Sequence, residues 1–158
     1  ISDAGTLKRI DASLVGGGLV KQVVYASNDT NVTFTNGTFG DVITINITPT
    51  KTSSDILIHA NLMYTGNTSS GQDQGTSFKI LRDSTDIFNP GNNYQSYLYD
   101  SGDAIDQKTN FSISYLDTGH NTTSQITYKI QGNSQTGGGS ISFNNNGVST
   151  LWVMELDQ

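Results

Sequence analysis

Asp117, Thr118 and Gly119 form the string in this chain that comes nearest to a catalytic motif. Two copies of such a tripeptide, brought together by dimerisation, let paired aspartates share one proton, as in small aspartic proteases. Those enzymes keep the loop small with Ala or Ser after the glycine, whereas His120, Asn121, Thr122 and Thr123 follow here. The string therefore reads as a solvated hairpin turn between a strand around Phe111 and another around Ile126. Glycoside hydrolysis needs two carboxylates at a set separation, one with a raised pKa. The chain has a single Glu, Glu155, which we expect in the last strand as a paired or rim charge; its thirteen Asp fall mostly in turn contexts.

The two histidines, His59 and His120, lie in a strand pattern and a turn pattern respectively, and no Gly-x-Ser-x-Gly elbow accompanies them. Without Cys, and with the two His 61 positions apart, one chain does not build a zinc site. A threefold axis, where one ligand per chain suffices, leaves an ion open. Asp100, Asp103 and Asp106 supply hard oxygens but lack the one-three-five spacing and distal Glu of a calcium loop. The expectation is no catalytic residue, no metal site and no cofactor.

The stretch from Asn89 to Asp106 offers binding chemistry instead. It sets Tyr94, Gln95, Tyr97, Tyr99 and Asp100 among further Asn, Ser and Asp, with no clear period-two pattern. Tyrosine rings stack on the C–H faces of sugars while amides and carboxylates bond the hydroxyls, so these five residues are the candidate ligand-binding set. The alternative is that Tyr97 and Leu98 pack under the loop or into a subunit seam.

Elements able to hold such loops are written along most of the chain. Gly, Ser, Thr and Asn number 17, 18, 20 and 15 of the 158 residues, against one Glu and two Pro, a composition that favours strands and turns over helices. Residues 1–20 hold one helix-like spacing, Leu7, Ile10 and Leu14, before Gly16, Gly17 and Gly18, and are assigned as a connector. From residue 21 the period becomes two. Ile43, Ile45 and Ile47 share one face, as do Ile56, Ile58, Ala60, Leu62 and Tyr64, with His59 and Asn61 opposite. Strands also fit 77–82, 110–116, 124–131 and 140–143. The terminal TLWVMELD is apolar on both faces, which places it either between two sheets or between a core and a neighbouring subunit. Eight or nine strands joined by Gly, Ser, Asn and Asp clusters predict an all-β antiparallel sandwich or jelly roll over 21–158.

Net charge −6, with eight basic residues scattered along the chain, excludes the clustered cations that nucleic acid demands. No apolar run reaches the ~20 residues of a membrane helix, so no membrane insertion is expected. Seven Asn-x-Ser/Thr triplets occur, and the abundance of Asn, Ser and Thr is enough to account for them.

Several strings resemble one family. SDAGTLKRIDASLV is similar to a connector in fibre and other structural proteins of tailed bacteriophages. ITPTKTSSDILIHANLMY, YLDTGHNTTSQITYKIQ and STLWVMELDQ resemble strand elements of the terminal domains that follow it. The likeness covers about a third of the chain and departs from the family at Gly119-His120, where a Pro often follows the turn. It implies a jelly-roll head of tumour-necrosis-factor or C1q-like shape, a homotrimer on the virion surface, contacting other virion proteins and a host surface glycan or protein through variable loops. A capsid decoration or head-fibre protein without a receptor site is the alternative. The family implies no fixed binding residues.

Overall fold

The computed structural model describes residues 2–3, 6–7, 19–34, 37–68, 72–91, 95–99, 102–134 and 140–158. Thirteen strands occur among them, and no helix. Two short strands, β1 (Ser2–Asp3) and β2 (Thr6–Leu7), pair with each other. Leu7 is therefore extended, contrary to the helix-like spacing, while Ile10 and Leu14 lie outside the described residues.

The remaining strands are β3 (Val20–Asn28), β4 (Val32–Phe34), β5 (Gly40–Ile47), β6 (Asp55–Asn67), β7 (Gln74–Arg82), β8 (Thr85–Phe88), β9 (Ser96–Leu98), β10 (Asp106–Asp117), β11 (Ile126–Ser134), β12 (Ser140–Phe143) and β13 (Ser149–Leu156). They make two antiparallel sheets. In the first, β6 is the spine: β10 runs along one side of it, while β13 and then β12 share the other. β3 lies outside β13, and β4 outside β12. The second sheet has the order β5-β11-β7, with β8 and β9 sharing the far side of β7.

The sheets bury the faces that the period-two pattern marks. Ile56, Ile58, Ala60, Leu62 and Tyr64 of β6 meet Ile43, Ile45, Ile47, Phe78, Ile80, Ile126, Tyr128 and Ile130 from the second sheet, all buried. One half of this core is aliphatic. The other half is a ring cluster in which Phe78 lies 5.2 Å from Phe111 and 5.4 Å from Phe143, and Tyr64 lies 5.1 Å from Phe111, spacings suited to tilted aromatic pairs. Gly132 makes room for that cluster, since a Cβ there would stand 2.7 Å from the Phe143 ring.

The connections sort to opposite ends. At one end, Thr68 pairs its N–H with the Ile105 carbonyl, Gly37 bonds Ser134, and Gln95 bonds Thr76, so the β4–β5, β6–β7, β8–β10 and β11–β12 connections gather there. At the other end the Asp157 N–H bonds the Leu19 carbonyl, and the β5–β6, β7–β8 and β10–β11 connections meet. The chain thus enters its first long strand at the end opposite the loop cluster.

The segment 118–125 departs from the hairpin expectation. β10 belongs to the first sheet and β11 to the second, so the segment crosses between sheets. Most of its residues are exposed, as expected of a solvated turn, but His120 within it and Asp117 just before it are buried, 7% and 4% exposed.

Candidate interaction surfaces

Asp117 is a structural residue. Both its oxygens face Arg82 Nη1, at 2.8 and 3.0 Å; the Tyr128 hydroxyl donates to Oδ2 at 2.7 Å and the Gly119 N–H to Oδ1 at 3.1 Å. Burial, and then the bond to Asp117, push the Tyr128 phenol far above its ordinary range. Each oxygen thus accepts two bonds, which fills the carboxylate's four acceptor sites. Removing one partner of such a buried set strands the others. Asp117→Ala is accordingly expected to lower unfolding free energy by about 3 kcal/mol, read as a drop in the urea midpoint with the slope unchanged.

His120 is equally committed: its Nε2 lies 2.6 Å from the Ser54 carbonyl, tying the β10–β11 crossing to the β5–β6 turn. Glu155 is not a rim charge. It is 0% exposed, with Oε1 accepting from Thr50 N–H (2.7 Å), Thr50 Oγ1 (2.8 Å), Lys51 N–H (3.2 Å) and Ser54 Oγ (2.7 Å), and Oε2 accepting from Gln22 Nε2 (2.7 Å). Burial raises its pKa, and the bonds from Ser54, Gln22 and Thr50 outweigh burial to bring it down to about 2. Asp103 and Asp106 are exposed, Asp100 lies outside the described residues, and among the described residues no cluster of three metal-ligating side chains occurs.

Of the five candidate ligand-binding residues, Gln95, Tyr97 and Tyr99 are described; Tyr94 and Asp100 are not. The three lie at the loop end, around β9, a strand that the sequence pattern missed. Gln95 pins this segment to β7 twice, its N–H donating to the Thr76 carbonyl at 2.9 Å and its side-chain oxygen accepting from the Phe78 N–H. Tyr97 and Tyr99 flank half-buried Leu98 and are 45% and 68% exposed. Tyr97 lies within β9 and Tyr99 one residue past its end. The Tyr97 hydroxyl donates to Asp73 at 2.5 Å, which fixes that ring.

A second surface, unmarked by any motif, is the outer face of the first sheet. The register sets its side chains in rows across four strands. Tyr25, Trp152, His59 and Ser114 form one row, and Val23, Met154, Leu57 and Leu116 the next. Ser27, Thr150, Asn61 and Ser112 form the row nearer the loops. None of the twelve is charged. Trp152 stands 5.2 Å from Tyr25 and 5.9 Å from His59, and His59 Nδ1 lies 2.8 Å from Ser114 Oγ. This Ser–His pair has no acid beside it in its row, so it lacks the orienting acid of a Ser-His-Asp triad.

The outer face of the second sheet is its opposite. Lys129 pairs with Asp41 at 3.2 Å and Lys79 with Asp86 at 3.1 Å, beside the exposed polar residues Thr44 and Asn46. One sheet thus shows water a charged polar face; the other shows Tyr25, Val23 and Leu116, all exposed.

No protein-family model matches the chain, and no curated protein sequence does. Among solved structures, the infectious bursal disease virus VP2 subviral particle is similar at TM-score 0.43 and 13% identity, over 87% of this chain and 38% of that one. T=1 particles derived from the same virus match at TM-score 0.43 and 11% identity, over 88% and 37%. The chain spans under two fifths of the length of these two viral chains.

Proposed function

We propose that this chain is a non-enzymatic head module of a tailed-phage fibre, assembled as a homotrimer of jelly rolls, that touches a host surface glycan or protein with its loop end. The observation that carries the reading is the uncharged outer face of the first sheet, half of whose twelve residues, Tyr25, Trp152, Val23, Met154, Leu57 and Leu116, are apolar or aromatic. A chain of net charge −6 repels its own copies, and a neutral face is where that repulsion is least and apolar burial greatest. Copies of this chain are thus the occupants we assign to it.

The strand orders β3-β13-β6-β10 and β5-β11-β7-β8, within sheets of six and five strands, support the jelly-roll description, being runs of four antiparallel strands linked by crossings between sheets. Likeness to phage fibre connectors over 1–20 fits a module entered at Leu19, at the end opposite the loops. An assembly axis roughly parallel to the strands would point all three loop ends away from such a shaft. Exposed Tyr97 and Tyr99 then offer ring faces to a saccharide or peptide. Weak sites repeated three times, and again over several fibres, gain ~10² to 10⁴ in avidity without new contacts.

Replacing Tyr97 and Tyr99 together with Ala tests the contact. Binding of the labelled assembly to host cells is expected to fall at least tenfold while its mass is unchanged; undiminished binding would remove these residues from the site.

A further inference from the structure

We propose that the loop end selects a saccharide carrying no phosphate, sulfate or carboxylate, an inference that rests on the host contact just proposed and names its ligand class. The connections gathered at that end, 35–39, 68–73, 89–105 and 135–139, hold no Lys or Arg, and they hold three Asp, Asp73, Asp100 and Asp103. Asp106 opens β10 and Asp41 stands second in β5, both exposed and both at the same end. The nearest cations are paired or set back. Lys129 meets Asp41 at 3.2 Å, and Lys108 lies two positions along β10, opposite Thr65. Three others stand at the opposite end, where Lys21 and Lys51 pair with Asp157, and Arg82 with Asp117.

Both rings of the contact sit among these acids. The Tyr97 hydroxyl donates to Asp73, so a carboxylate stands at the edge of that ring. Asp103 is exposed four residues past Tyr99, within ~14 Å of it even on fully extended backbone. In the described residues of these connections, Tyr97 and Tyr99 are the only large apolar side chains exposed. Hydroxyls, amides and carboxylates surround them, which lacks the apolar centre of a protein–protein contact. It supplies what a sugar uses: ring faces for C–H groups and acceptors for hydroxyl protons. An anionic group on the same sugar meets like charge, with no Lys or Arg in the connections to pair it. The penalty is electrostatic and therefore salt-dependent, because the screening length falls from ~30 Å at ~0.01 M salt to ~8 Å at ~0.15 M.

Competition for host-cell binding tests this, with the labelled assembly as probe and the host's own surface polysaccharide, split by anion exchange into uncharged and anionic fractions, as competitors. At ~0.01 M salt the uncharged fraction is expected to halve binding at a concentration at least tenfold below that of the anionic fraction, and the gap should shrink at ~0.15 M. The double variant Asp103→Asn, Asp106→Asn, checked for unchanged mass and circular dichroism, should narrow the low-salt gap at least threefold. An anionic fraction that competes as well as the uncharged one at low salt overturns the inference, as does a gap that the double variant leaves unaltered. Cells bound with neither fraction competing overturn the saccharide assignment while the host contact stands. Wild type that does not bind the cells, or binding that survives loss of both Tyr97 and Tyr99, overturns the host contact itself and this selectivity with it.

Discussion

Met154→Asp is expected to leave a folded monomer. Met154 lies in the row Val23-Met154-Leu57-Leu116, on the outward side of β13, so a carboxylate there contacts solvent in the separated chain. The fold is charged only the strand-propensity penalty, about 1 kcal/mol. In the assembly the same change places a negative charge on every copy within an uncharged seam, and Lys21, two positions from Val23 on β3, is already paired with Asp157 at 2.8 Å. An unpaired buried charge costs several kcal/mol, and with three per trimer we expect association to weaken by more than ~10³-fold, since every 1.4 kcal/mol is tenfold. Light scattering at micromolar protein should then report the single-chain mass of 17.0 kDa. Thr44→Asp on the outer face of the second sheet is the matched control, and it should change nothing.

Glu155 gives the largest expected effect on the fold itself. Its carboxylate fastens the β5–β6 turn and β3 to β13, through Thr50, Lys51, Ser54 and Gln22. The group has an ordinary pKa of 4.5 and titrates at about 2 in the folded chain. Between those values the unfolded chain holds more protons, so the contribution is complete above pH 4.5 and is lost as pH falls through 2. Each pH unit across that window removes about 1.4 kcal/mol, some 3 kcal/mol in all. Glu155→Gln should therefore be less stable by about 3 kcal/mol at pH 7, with the gap closing as pH approaches 2. Glu155→Ala should cost more, since it leaves the Thr50 and Lys51 N–H groups without an acceptor. Urea midpoints from pH 7 down to pH 2 read both effects, and parallel wild-type and Glu155→Gln curves would refute this role.

The strands were largely legible because their pattern is local. Ile56 to Tyr64 alternates without a break, and that alternation alone chose the buried face of β6. Trp152 and Met154 marked β13 as apolar on both sides, and the structure puts Leu151, Val153 and Glu155 inward and those two outward. What escaped depends on partners distant in sequence. Nothing near Glu155 signals that Gln22 and residues 50–54 converge on it. His59 and Ser114 are joined only by the β6–β10 register, which also turned an apparent Asp117 hairpin into a crossing between sheets. β9 was hidden because three residues, Ser96–Leu98, are too few for alternation to stand out among tyrosines and amides. Tyr97 and Tyr99 were readable as exposed aromatics in a polar loop, whereas the uncharged sheet face emerged only once four strands were laid side by side.

Trp152 is the single tryptophan of the chain and sits at the centre of that face, so acrylamide quenching of its fluorescence reads the cover directly. With identical copies over the sheet, Trp152 in the wild type at pH 7.5 should be quenched severalfold less than in Met154→Asp. Equal quenching in the two proteins, with the wild-type indole open to acrylamide, would contradict the account.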